Sequence, residues 1–140
     1  MVLGGLMTST VYALTGFIAW ALFLLVLMEI IRTYLVVTGR VAANSFKPDN
    51  SGLSPFMQRL ARAQANCVES LPIFGGLLAV AIMTSRTGIT DPLALWFLGA
   101  RIVQSTIHLI STSSIAVSLR FTAFALQMAI CIYWAWRLMA

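Results

Sequence analysis

Residues 8–37 read TSTVYALTGFIAWALFLLVLMEIIRTYLVV, an apolar run interrupted only by Glu29 and Arg32. A helix needs about 20 mostly apolar residues to cross the hydrocarbon core of a bilayer. A helix can sit there because its backbone polar groups bond to one another. This stretch therefore predicts a transmembrane helix, and three more follow it. Residues 56–84 carry their charges at the start and Glu69 inside; 92–112 carry Arg101; 116–138 carry Arg120 near the start and Arg137 near the end. The chain has 140 residues, 60% hydrophobic and 9% charged. A soluble domain is nearer ~25% charged, so these charges are too few to coat a small globule, and lipid is the natural solvent. The net charge of +5 comes with no basic run and no recognition module. It is read as membrane orientation rather than nucleic-acid binding.

The joins complete an all-α reading. Residues 39–55, ending in AANSFKPDNSGLSP, form the one substantial loop; 85–91 (SRTGITD) and 111–118 (STSSIAVS) are short. Asp91 before Pro92 reads as a helix N-cap with proline at the first helical position. Short joins imply antiparallel neighbours, hence an integral membrane four-helix up-down bundle forming one domain over 1–140. No Lys or Arg precedes the first run, which is long enough to span, so it is expected to be a helix rather than a cleaved signal. Arg40, Lys47, Arg59, Arg62 and Arg120 flank the first and third loops, against Arg86 and Arg137 on the other side. That bias predicts the first and third loops in the cytoplasm and both termini outside. Cys67 and Cys131 read as small packing residues. One histidine and two cysteines argue against a metal site.

The chemistry lies in charges placed where charge is costly, roughly 2.5–3.5 kcal/mol at mid-helix on insertion scales. Glu29, Arg32, Arg62, Glu69, Arg101 and Arg120 are the candidates. Their plain structural roles are ion pairs or snorkelling; Glu29 and Arg32, one turn apart, suit a local pair, and Arg40, Arg59 and Arg137 suit the headgroup zone. Residues 59–74, RLARAQANCVESLPIF, are harder to dismiss. Arg62, Asn66 and Glu69 fall at i, i+4 and i+7 on one helix face, with Arg59 on the same side, while Gln64 points elsewhere, suited to a neighbouring subunit. Pro72 follows one turn later, where it frees a carbonyl. Arg101, Gln104, His108 and Thr112 form a second stripe at i, i+3, i+7 and i+11. Both stripes run towards the same membrane face. His108 alone would read as a core histidine, but in line with Arg101 and Gln104 it is a fair candidate.

Several arginines, one glutamate and two amides suit a small anionic zwitterion. Arginine binds carboxylates bidentately, and Glu69 can take an ammonium. Glutathione, with two carboxylates, an ammonium and a thiol, fits this set. An arginine beside the thiol favours the thiolate of a group whose pKa starts near ~8.5.

The run Arg62-Ala63-Gln64-Ala65-Asn66-Cys67-Val68-Glu69, followed by Pro72 and Phe74, resembles the signature of the membrane-associated proteins in eicosanoid and glutathione metabolism, the MAPEG family. It looks most like the leukotriene C synthase and microsomal glutathione transferase branch, while residues 39–46 (GRVAANSF) look like bacterial members. The resemblance covers nearly the whole chain. It implies a left-handed four-helix bundle assembled as a homotrimer, with glutathione as co-substrate between adjacent subunits, open to the cytoplasm. By motif it implies glutathione contacts from Arg62, Gln64, Asn66 and Glu69, with Arg40 from the first helix. Arg101 is similar to the arginine early in the third helix, and Arg120 resembles the arginine that activates the thiol; Gln104 and His108 are added as expected glutathione contacts because they share the Arg101 stripe. Ser70 stands where the synthases carry an aromatic; Gln104, His108 and Phe124 stand at or near tyrosine positions. The implied location is a bacterial inner membrane.

The leading expectation is therefore a glutathione-dependent transferase or peroxidase acting on lipophilic electrophiles or hydroperoxides, with no metal and no nucleic-acid partner. The alternative is a non-catalytic membrane protein of the same fold that holds lipid or a partner. A weaker third reading makes the paired intramembrane charges the pathway of a small transporter subunit.

Overall fold

A computed structural model describes residues 7–140; the first six residues of the expected single domain lie outside the described residues. Four helices follow in order: α1 (Ser9–Val37), α2 (Pro55–Met83), α3 (Thr87–Ile110) and α4 (Ser114–Met139). Each contains a window long and apolar enough to span a membrane, with mean hydropathy from 1.4 to 2.3. Tyr12 and Trp136 stand exposed near one end of the bundle and Tyr34 near the other, as amphipathic rings do at the two interfaces. The chain is an integral membrane protein.

Local chemistry sets the helix ends. Thr8, Ser54 and Ser113 cap α1, α2 and α4, each hydroxyl accepting from the amide three residues on, and Pro55 opens α2 where its missing N–H costs nothing. The end of α1 is a Schellman motif. Gly39 takes φ +75°, its amide donates to the Val36 carbonyl, and the Arg40 amide donates to that of Leu35. The end of α2 repeats the motif with Ser85 at φ +57°, followed by Arg86. That arginine reaches across to the end of α4, donating to the carbonyls of Leu138 at 2.7 Å and Arg137 at 2.9 Å.

The third helix departs from expectation. It begins at Thr87, not at Pro92, and ends at Ile110, so Thr112 leaves the stripe and lies in the connection to α4. Pro92 sits inside the helix, where it forfeits one hydrogen bond near the start. Asp91 does not cap its own helix. Its carboxylate accepts from the Thr10 amide at 2.9 Å and the Thr10 hydroxyl at 2.5 Å, and that hydroxyl also meets Thr90. The Thr10 amide is one of the donors that α1 leaves without a partner in its first turn, so Asp91 caps the neighbouring helix instead. Helix α2 runs through Pro72 without a break.

Packing is uneven. Helices α1, α2 and α3 pack on one another, whereas α4 packs mainly on α3, touches α2 narrowly and does not pack on α1. Gly16 permits close approach of α1 to α3, since a Cβ there would stand 2.6 Å from a methyl of Leu98. One aromatic from each helix builds the central layer: the Phe97 ring lies 6.1 Å from Phe17, 4.7 Å from Phe74 and 5.5 Å from Trp134.

The first loop is folded against the bundle. Arg32 pairs with Glu29 at 3.1 Å, as the i, i+3 spacing anticipates, and stacks over the Phe46 ring. Its guanidinium also donates to the Asn50 side-chain oxygen through Nε at 3.1 Å and Nη2 at 2.5 Å. Asn50 in turn donates to the Met57 carbonyl at 2.7 Å and is fully buried, with φ +58°. Beside it, the Ser51 hydroxyl and amide hold the Asp49 carboxyl below the usual carboxylate range.

Candidate functional site

The narrow contact between α2 and α4 leaves a groove. A cavity of about 320 Å³ opens there, lined by Asn66, Glu69, Ser70, Ile73 and Phe74 from α2 and by Phe124, Met128, Cys131 and Ile132 from α4. A second hollow of about 480 Å³ continues along the same seam past Pro72, Gly76, Leu77, Val80 and Ala135. Helical spacing explains the wall. Arg62, Asn66, Glu69 and Ile73 lie on one face of α2, and Arg120, Phe124 and Met128 lie on one face of α4. Arg62 and Arg120 therefore stand one turn beyond the groove residues, towards the first and third loops.

The groove is polar at one end and apolar along the rest. Glu69 is exposed, fourteen residues into α2, about 21 Å along its axis. Among the described residues it makes no ion pair and no hydrogen bond, the one ion pair there being Arg32–Glu29. Carboxylates at that depth characteristically face a bundle interior or a water-filled cavity and mark a site. The Ser70 hydroxyl donates to the Asn66 carbonyl at 2.7 Å, so it turns only lone pairs to the groove. At the loop end, the positive charges of Arg120, Arg62 and Arg59 all bear on half-buried His108. Arg59 donates its Nε to the Leu109 carbonyl at 2.8 Å, tying α2 to the end of α3. Arg120 is half-buried with Nε enclosed and unpartnered.

Beneath the groove lies Arg101, 0% exposed. Its guanidinium is ringed by Phe17 and Phe74, each 5.4 Å from ring centre to charge, and by Phe124 at 5.7 Å. Nη1 donates to the side-chain oxygen of Asn66, while Nε and Nη2 are buried without a partner. Expected as a ligand contact, Arg101 is covered by Asn66, Phe74 and Phe124, the side chains that form the floor.

The other expected residues divide. Gln104 turns into the bundle, where its oxygen accepts from Gln127 at 2.7 Å. Gln127, fully buried on α4, was not singled out from the sequence, although a lone amide in an apolar run was the available signal. Arg40 lies exposed just past α1, stacked on Tyr34 at 5.7 Å and away from the groove. Gln64 is half-buried on the flank of α2. Cys67 and Cys131 are buried free thiols, Cys67 within 3.5 Å of the Ser105 hydroxyl. Among the described residues, no three His, Cys, Asp or Glu side chains gather as metal ligands would.

A profile of the MAPEG family matches residues 10–140, every helix of the bundle included. The chain belongs to the MAPEG family. No curated protein and no solved structure matches it. The family includes glutathione transferases and related proteins. In this MAPEG protein, Asn66 and Glu69 of the Arg62–Glu69 run line the α2 wall of the groove, and Arg62 stands one turn beyond it.

Proposed function

We propose that this MAPEG protein is a membrane-embedded, glutathione-dependent transferase or peroxidase acting on lipophilic electrophiles or hydroperoxides. The observation that carries the reading is the lone Glu69 carboxylate in a groove with arginines at its mouth and an apolar channel beyond. That order of groups suits a zwitterion with its anionic ends towards Arg62 and Arg120, its ammonium on Glu69, and an apolar second substrate in the seam. Arg62, Asn66 and Glu69 supply the binding wall; Gln64 and Arg40, off this groove, are suited to the same ligand from an adjacent copy. Self-association as a homotrimer accords with the exposed α2 face, which otherwise sets Arg62 and Glu69 against lipid.

Arg120 favours the thiolate, because a guanidinium keeps its charge at any ordinary pH. The thiol proton leaves to solvent and the sulfur lone pair attacks. With an electrophile, the carbon–sulfur bond forms as the leaving group or strained ring bond breaks. With a hydroperoxide, the oxygen–oxygen bond breaks, the alcohol leaves, and a second glutathione reduces the sulfenic acid to the disulfide and water. Proximity and charge stabilisation are the catalytic devices. The apolar seam equally suits a lipid tail, which keeps the non-catalytic binding reading as the alternative.

Titrating the purified protein with glutathione while following thiolate absorbance is expected to give a saturable thiolate signal. Binding without thiolate would leave the non-catalytic reading.

The charge bias places the first and third loops on the cytoplasmic side, with termini outside, and a bacterial inner membrane is the expected location. A cysteine at Asn44, exposed in the first loop, is then protected from impermeant reagent in intact cells and labelled after lysis. Labelling from outside reverses the topology. Asn50, being buried, is unsuited to this probe.

A further inference from the structure

Arg101 is buried, positively charged, and paired with no carboxylate among the described residues. Its one oxygen acceptor among the described residues is the Asn66 side chain, with the Cys67 thiol nearby, and arginine has donors only. The carboxamide edge facing it must therefore be the oxygen. That leaves Nδ2 on the opposite edge. Nδ2 makes no hydrogen bond to another described residue and is not among the enclosed unpartnered atoms, while Asn66 lines the groove. An asparagine free to turn could offer either edge. This one cannot, because turning would set its NH2 against a guanidinium in a low-dielectric interior.

We infer that Arg101 is a positioning residue: it locks the Asn66 carboxamide so that the α2/α4 groove is offered a hydrogen-bond donor, selecting an acceptor such as a carboxylate or thiolate. Arg101 does not itself touch the ligand, since Asn66, Phe74 and Phe124 separate the two. The buried charge also polarises the amide, strengthening the donor it fixes. Glu69 and the lone pairs of Ser70 supply acceptors on the same wall, so the groove reads polarity in a fixed order: donor at Asn66, acceptors one turn deeper. That the acceptor belongs to glutathione rests on the proposed function; the locking of Asn66 does not.

The test uses the full chain in detergent with 15N-labelled asparagine. The sequence has three asparagines, Asn44, Asn50 and Asn66, hence three side-chain amide pairs, and Asn66→Asp identifies the third by its loss. Arg101→Met is expected to move the Asn66 pair while the Asn44 and Asn50 pairs stay in place. Arg101→Lys, which keeps a pure donor, restores the parental position. Glutathione is expected to shift the Asn66 pair in the parent. Arg101→Met should weaken its affinity about 10- to 100-fold, the loss of a hydrogen bond to a charged group, and Arg101→Lys should recover most of it. An Asn66 pair unmoved by Arg101→Met, or all three pairs moving together, overturns the inference. An Asn66 pair that depends on residue 101 but ignores glutathione supports the locking and counts against the glutathione reading. If Arg101→Met does not fold, Asn66→Asp carries the test. Its carboxylate pairs with Arg101 and keeps the packing, yet offers the groove an acceptor; parental glutathione affinity in that variant sinks the proposal.

Discussion

Arg120→Ala is expected to lower glutathione thiolate formation about 100-fold, equivalent to two pKa units on the bound thiol. Glutathione affinity should change by only a few-fold. The argument is positional. Arg120 stands one turn outside Phe124 on the groove face of α4 and, among the described residues, has no ion pair or hydrogen bond, so no carboxylate neutralises its charge near the mouth. Glu69→Gln is expected to do the reverse. It removes the carboxylate that an ammonium needs at mid-bilayer depth, so affinity falls about 10-fold or more while the bound ligand forms thiolate nearly as before. Affinity and single-turnover thiolate formation, measured on folded variants, separate the two roles. Equal losses in both quantities for both variants would mark the residues as structural. An Arg120→Ala protein that forms thiolate as readily as the parent would pass the role to His108, which faces the same arginine cluster.

The second large effect lies outside the groove. Asn50→Ala is expected to destabilise the protein by about 3 kcal/mol, because it strips two hydrogen bonds from the Arg32 guanidinium and removes the donor that ties the loop to the Met57 carbonyl. It also asks alanine to hold φ +58°. Asn50→Gly tolerates that backbone and loses only the side-chain bonds, so it should recover less than half of the deficit. Equilibrium unfolding in mixed micelles gives both values. A glycine variant as stable as the parent would show that backbone conformation alone matters and that the clamp to Arg32 contributes nothing.

These residues also mark how far sequence reasoning reaches. Hydropathy is a local property, so the four spans were legible from their apolar runs, with three of four helix starts within two residues. The exception is instructive. Asp91-Pro92 carries a genuine capping signal, but its carboxylate is taken by Thr10, eighty-one residues away, and no local pattern reveals that partner. The Arg62–Glu69 face was readable because 3.6-residue periodicity fixes which side chains align. Which of the aligned charges reach the groove was not. Arg101 and Gln104 share a face with His108, yet α4 covers the first two and leaves the third half open, a consequence of how α3 and α4 pack. The Asn50 clamp was hidden for the same reason: a polar loop reads as solvated until the arginine it grips is placed beside it.

The uneven packing of α4 bears on how the bundle comes together and comes apart. The first three helices bury their mutual surfaces without help from the fourth, so they can form a unit to which α4 is added. Helix α4 docks mainly onto α3, with a narrow contact to α2, and is held at its far end by the Arg86 clasp on the last carbonyls. It is the element with the fewest neighbours to break in a local opening, so its amides should exchange with solvent deuterium ahead of the rest. With α4 undocked, the three-helix unit would stand with the groove lacking its second wall.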